Sequence, residues 1–184
     1  MYPETDIKPI KITPDALASA EKNAPRLEQE VGTLSKDLKD VQLANALILS
    51  GKLPLYKAVA GSTSADKRFI ASILLQKMTE LRRKGYAVDS IRDDDIITVF
   101  KRYDDGAITK QAIEEIIKAL SKGSTDIDKV IADESLHRIS GKALKELVSN
   151  FSKTVQSSGK DDLRKKIMAK YRLVIDGEEL NKII

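Results

Sequence analysis

The residues of this 184-residue chain that could carry chemistry are few, and they lie far apart. Asp93, Asp94 and Asp95 stand in a row. Three adjacent carboxylates could hold a hard cation, but they are also what the free amide groups and dipole of a helix start favour. Asp105-Gly106 with Ile108 mimics the middle of a calcium loop. That register would put Lys101, Tyr103 and Ala112 at ligand positions, and none of the three can coordinate such an ion. Ser-Gly-Lys occurs at 50–52, 140–142 and 158–160. None of the three has the upstream glycine and following strand of a phosphate loop. Glu114-Glu115 fall in a stretch whose inner face is isoleucine and read as a solvated face. His137 is the single histidine and has no partner at ligand spacing.

Composition narrows the chemistry further. The absence of cysteine excludes a disulfide framework, thiolate metal sites and cysteine nucleophiles together. One histidine leaves no clustered imidazoles for a metal. No set of nucleophile, base and metal ligand converges, so no catalytic residue and no metal ligand is assigned. No apolar run approaches the ~18 residues of a spanning helix, and no basic stretch precedes a hydrophobic one at the N-terminus. The expectation is a cytoplasmic protein with no membrane partner.

Charge supplies the strongest signal. The chain carries 32 basic and 28 acidic side chains, a net charge of +4. The excess is concentrated: Lys160, Arg164, Lys165, Lys166, Lys170 and Arg172 stand among only Asp161 and Asp162. On a helix starting near Asp161, Leu163, Ile167 and Tyr171 form a four-residue ladder that can dock, displacing Lys165, Lys166 and Lys170 toward solvent. Such a cluster can contact phosphates. With five Tyr, three Phe and no Trp, stacking platforms are scarce. A charged outer face also serves solubility alone; where the cluster does contact phosphate, the partner would be a folded or duplex RNA read through its backbone. A second basic triplet, Arg82-Arg83-Lys84, complements the negative end of its helix dipole and is a secondary candidate for a polyanion.

Helices must position these groups, because the periodicity is helical almost throughout. Residues 1–12, with Pro3 and Pro9, read as an extended arm. Thr13-Pro14 opens a short helix that stops before Pro25, where a second begins. Ser35 is expected to cap a stretch with Leu38, Val41, Ala44 and Leu47 on one face, ending at Gly51. A long helix is expected over about 64–84, with Ile70, Ile73, Leu74, Met78 and Leu81 inward and Gly85 as its stop. After a boundary near residue 91, helices follow at Asp93, Thr109, Ile127, Ser140, Asp161 and Gly177. The fold class is all-α: a helical unit at 13–90 and a second at 91–184, joined by the long helix.

The hexapeptide Met1-Tyr2-Pro3-Glu4-Thr5-Asp6 with Ile7-Lys8-Pro9 resembles the GatE family of archaeal glutamyl-tRNA(Gln) amidotransferases, where the catalytic portion gives way to helical appendages. Three later segments resemble the tail shared by GatB, GatE and YqeY proteins. They are Asp105-Gly106-Ala107-Ile108-Thr109, Ile139-Ser140, and Lys166-Ile167-Met168-Ala169-Lys170-Tyr171-Arg172 leading to Asp176-Gly177-Glu178-Glu179-Leu180. The resemblance covers nearly the whole chain. It implies a helical linker domain over 13–90 and a GatB/YqeY-like tail domain over 91–184 that grips tRNA away from its acceptor end.

In that family the parent protein acts in protein biosynthesis. It activates glutamate on misacylated tRNA(Gln) with ATP and Mg, then amidates it with ammonia supplied by its partner GatD. The chain would then be a non-catalytic C-terminal fragment needing no cofactor itself. Its tRNA contacts would be Arg164, Lys165, Lys166, Lys170 and Arg172. The alternative is a free-standing helical protein-interaction module with an incidental basic face.

Overall fold

A computed structural model describes residues 12–23, 27–154 and 159–184. The residues expected to form the extended arm lie outside these, except Ile12. Among the described residues there is no strand. The helices are α1 (Pro14–Asn23), α2 (Leu27–Leu38), α3 (Val41–Leu49), α4 (Leu53–Ser62), α5 (Lys67–Ser72), α6 (Met78–Arg83), α7 (Asp93–Asp104), α8 (Lys110–Ser121), α9 (Ile127–Asp133), α10 (Gly141–Thr154), α11 (Lys160–Tyr171) and α12 (Gly177–Ile183). None is long and apolar enough to cross a membrane.

Side-chain caps set the starts. Asp40 accepts from the Leu43 amide at 3.0 Å, Asp66 from Phe69 at 2.8 Å, Asp126 from Lys129 at 3.0 Å and Thr13 from Ala16 at 3.2 Å. Each satisfies one of the four amide groups that a helix start leaves unbonded. The expected cap at Ser35 is not used. Ser35 lies inside α2 and donates back to the Gly32 carbonyl at 3.0 Å, while the break comes at Lys39, with φ 52°, and Asp40 caps the next helix. The Ser35 hydroxyl is satisfied just as well by the preceding turn, so its residue type alone does not fix a boundary.

The long helix also starts later than expected. It runs from Lys67 through a π-helical turn at Ile73–Lys77 to Arg83. Ser64 instead donates to Asp104 of α7 through its hydroxyl, at 2.5 Å, and its amide, at 3.0 Å. At the far end Gly85 takes φ 89°, Tyr86 N–H donates to Leu81 and Gly85 N–H to Arg82. That pair of bonds closes the helix and requires the left-handed conformation that glycine adopts freely.

Burial divides the chain differently from the helix punctuation. One core takes residues from Leu34 to Leu136, with Ile70, Leu74, Leu81, Ile96, Phe100, Ile113, Ile116 and Ile117 essentially inaccessible. The boundary expected near residue 91 falls inside this core. Residues on both sides of the Val88–Ser90 turn pack into it. A second, smaller core holds Leu144, Val148, Ile167, Ile175 and Leu180, contributed by α10, α11 and α12 and the segment before α12. The break between cores lies between Leu136 and Leu144.

Thr109 ties the two together. It is 2% exposed, caps α8 by accepting from Ala112 at 3.3 Å, and donates its hydroxyl to the Leu173 carbonyl at 2.6 Å. Beside it Arg138 N–H donates to Ala107 at 2.8 Å and Ile139 N–H to Val174 at 2.7 Å.

Candidate nucleic-acid interface

The basic segment is a helix, as its spacing predicts. Gly159 precedes the first turn, Asp161 and Asp162 occupy that turn, and Ile167 is fully buried with Leu163, Met168 and Tyr171 packed beside it. Successive side chains are ~100° apart around a helix, so Lys165 and Arg172 project ~140–160° away from Ile167. Lys166 and Lys170 fall on one flank, and Arg164 on the other. The five expected contacts therefore share a helix but not a face. Together they surround every side of α11 except the docked one.

Their surroundings differ. Lys166 donates to Asp162 at 2.8 Å, one turn back, so part of its charge is already met. Lys170 lies 5.2 Å from the centre of the Tyr171 ring. Arg164, Lys165 and Arg172 are exposed and make no ion pair among the described residues. An exposed cation without a carboxylate keeps its full field for a mobile anion.

The second triplet is largely committed. Arg82 makes a two-pronged pair with Asp89, its Nε donating at 2.7 Å, and this raises the guanidinium pKa. Lys84 donates to Glu80 at 2.5 Å. Glu80 also takes a bond from Lys77, and these hydrogen bonds, Lys77 foremost, lower its pKa to about 2. Arg83 is exposed and makes no ion pair among the described residues.

The other motifs resolve into structure. Asp93, Asp94 and Asp95 fill the first turn of α7, where Asp95 receives both Nε and Nη2 of Arg92. Asp105-Gly106 closes α7. The Glu114-Glu115 pair is half-buried rather than a free solvated face. Glu114 bridges Lys77 and Lys118, each at 3.1 Å, joining α8 to the π-helical turn. His137 is exposed. Among the described residues no group of three His, Cys, Asp or Glu side chains could hold a metal ion.

Two of the clefts among these elements differ in character. A polar one of ≈ 530 Å³ lies where the two cores meet, with Asp105, Arg138, Asp176, Glu178, Glu179 and Lys182 around it. Arg138 donates to Glu179 at 3.0 Å, and Glu179 also accepts from Gly141 N–H at 2.9 Å. The Gly141 bond is the main reason the Glu179 pKa is lowered. Four carboxylates against two cations make this cleft a poor host for phosphate. The other, ≈ 400 Å³ and mostly apolar, lies between α2 and α4, with Tyr56 in its wall. The Tyr56 hydroxyl is buried without a hydrogen-bond partner. Burial, followed by the fields of Asp37 and Asp66, raises its pKa.

Residues 55–184 match the sequence model of a family described as the GatB domain, a match that starts in α4 and crosses residue 91 without a break. Over its full length the chain is 31% identical to the GatE protein of Pyrobaculum islandicum, a component of its glutamyl-tRNA(Gln) amidotransferase, and 28% identical to that of Methanocaldococcus jannaschii, covering 29% and 31% of those proteins. The Pyrococcus abyssi GatE is 33% identical over 136 residues, 73% of this chain and 21% of that one. The chain thus spans less than a third of the length of these relatives. No solved structure matches it.

Proposed function

The chain belongs to the GatB domain family, and from that premise we propose that it is a tRNA-binding portion of a GatE protein in an archaeal-type glutamyl-tRNA(Gln) amidotransferase. The carrying observation is α11, where Arg164, Lys165 and Arg172 stand without acidic partners among the described residues, with Lys170 beside them. Phosphates are the complementary ligand, and the relatives are named for an amidotransferase that acts on glutamyl-tRNA(Gln). In this reading the remainder of the parent protein carries the ATP- and Mg-dependent chemistry in the cytoplasm, with ammonia coming from a GatD-type partner. This chain contributes grip on tRNA(Gln) and no catalytic residue. Lys166 serves more weakly, because Asp162 competes for it. Arg83 is the remaining secondary contact, with Arg82 and Lys84 held by their own carboxylates.

The test is binding of tRNA to the 184-residue chain across a salt series. Each phosphate neutralised adds about one unit to the slope of log affinity against log salt. Replacing Lys165, Lys166 and Lys170 together by Gln keeps helix propensity nearly constant. The expected outcome is weaker binding with a shallower slope and an unchanged melting temperature. Unchanged affinity at low salt, with the fold intact, would remove α11 as the contact surface.

A protein-interaction reading rests on a different surface. Val41 and Leu49 of α3, a helix of nine mostly apolar residues, are 57% and 87% exposed and are the large aliphatic side chains a protein partner would cover there. This surface and the basic helix lie on different cores, so the second reading does not displace the first.

A further inference from the structure

The groove between α10 and α11 joins features that the sequence keeps apart. Phe151 and Tyr171 meet edge to face, with ring centres 6.1 Å apart and planes at 78°. They form one wall of a cleft of ≈ 350 Å³ that also has Leu147, Asn150, Thr154 and Lys170 around it. Two of the chain's eight Phe and Tyr residues thus stand beside the strongest cation cluster. A scarcity of aromatics across the whole chain does not prevent a local stacking platform.

The cleft offers what a nucleotide uses. Both rings are half-buried, so each is held in place yet keeps accessible surface. Lys170 sits over the Tyr171 ring, is exposed and makes no ion pair among the described residues. An exposed cation–π contact is weak, so a planar base can take the ring face while the ammonium turns to a phosphate. Thr154 donates its hydroxyl to the Asn150 backbone carbonyl at 2.8 Å, and the exposed Asn150 side-chain amide, without a hydrogen bond among the described residues, can offer one acceptor and two donors at the rim. The volume lies within the ~300–1,000 Å³ of small-ligand sites.

We propose that this groove receives one unstacked RNA nucleotide, its base stacked on the Tyr171 ring that Phe151 braces edge to face, and its phosphate on Lys170. The inference rests on the tRNA-binding reading and adds to it. Backbone contacts alone would accept any RNA of suitable shape, whereas a stacking cleft selects a strand with a base turned out of its helix.

The experiment compares Tyr171→Leu, Tyr171→Phe and Tyr171→Trp in the full chain, with tRNA and with a blunt RNA duplex of similar length as probes. Removing the ring should weaken tRNA binding about 5- to 100-fold while leaving the salt slope unchanged, since stacking releases no counterion. Tyr171→Phe should bind like the parent chain. The Tyr171→Trp variant carries the protein's one tryptophan, and its fluorescence should be quenched by tRNA but not by the duplex. If tRNA is bound with the expected salt slope but Tyr171→Leu binds as well as the parent, the stacking cleft is wrong and the basic helix stands. If the parent chain binds no tRNA at low salt, both fall. Should Tyr171→Leu fail to fold, the tryptophan decides: quenching by tRNA alone supports the cleft, and no quenching or equal quenching by duplex overturns it.

Discussion

Around the core that runs from Leu34 to Leu136, many cations are taken up by carboxylates, although Arg83, Lys110 and Lys122 make no ion pair among the described residues. Lys57 meets Glu30 at 2.7 Å, Lys67 meets Asp37 at 2.8 Å, Arg92 meets Asp95 at 2.8 Å and Arg102 meets Asp128 at 2.6 Å. Around α10 to α12 the balance changes. Arg138 and Lys166 are paired, but Arg164, Lys165 and Arg172 are not, among the described residues. Exposed pairs add only ~0–1 kcal/mol each, so neither pattern decides stability. What the pairing decides is the outward field. The larger region is nearly self-neutralised at its surface, while the smaller one projects positive charge from a helix that Ile167 alone anchors deeply.

The largest effects should come from the two cores themselves. Phe100→Ala removes a fully buried ring from the larger core and should cost ~3–5 kcal/mol, and Ile167→Ala in the smaller one ~2–5 kcal/mol. With five buried residues against the many of its neighbour, the smaller core has less to lose. Amide exchange should therefore show Ile167→Ala opening α10 to α12 while α7 and α8 stay protected. Equal loss of protection in both regions would mean that the cores unfold as one unit.

Thr109→Val sharpens the same comparison. It keeps shape but removes the α8 cap and the bond to the Leu173 carbonyl, leaving that carbonyl to find another donor. A cost of ~1–3 kcal/mol is expected, read by thermal melting. The exchange pattern should show the smaller region loosening first.

Charge removal then separates the two surfaces by function rather than by stability. Replacing Arg164, Lys165 and Arg172 with Gln should reduce the salt slope of tRNA binding by about three units. Replacing the paired Arg82, Arg92 and Arg102 with Gln should leave that slope nearly unchanged. If the two sets behave alike, pairing does not predict which cations reach RNA.

The smallest effect concerns pH. Glu179 is held below its ordinary 4.5, chiefly by Gly141 N–H and then by Arg138. A carboxyl whose folded pKa is depressed adds stability above its unfolded pKa and loses it as pH falls toward the folded one. Protection of the Gly141 amide should therefore fall as the solution drops below that ordinary value of 4.5. In Glu179→Gln that protection should be lower at neutral pH and should no longer respond to acid.

The features that could be read directly from the sequence were those settled within about four residues along the chain. Thr109 at the start of α8, Gly85 as a stop, and the inward ladder of Leu163, Ile167 and Tyr171 all depend on backbone bonds and side chains one turn apart. Ser35 misled at that same range, because its hydroxyl had a second local acceptor. What tertiary structure decided are the matters involving distant partners. Punctuation at Gly85 suggested a boundary near residue 91, yet Leu81 and Phe100 enter one core. The fate of Arg82 depended on Asp89, seven residues along the chain and beyond the Gly85 turn, whereas Lys84 meets Glu80 only one turn back. The Phe151–Tyr171 platform forms only when α10 and α11 pack, and Thr109 reaches Leu173 across 64 residues. Helix caps and periodicity follow from short-range sterics and hydrogen bonds, whereas burial and pairing depend on which surfaces meet once the chain has closed.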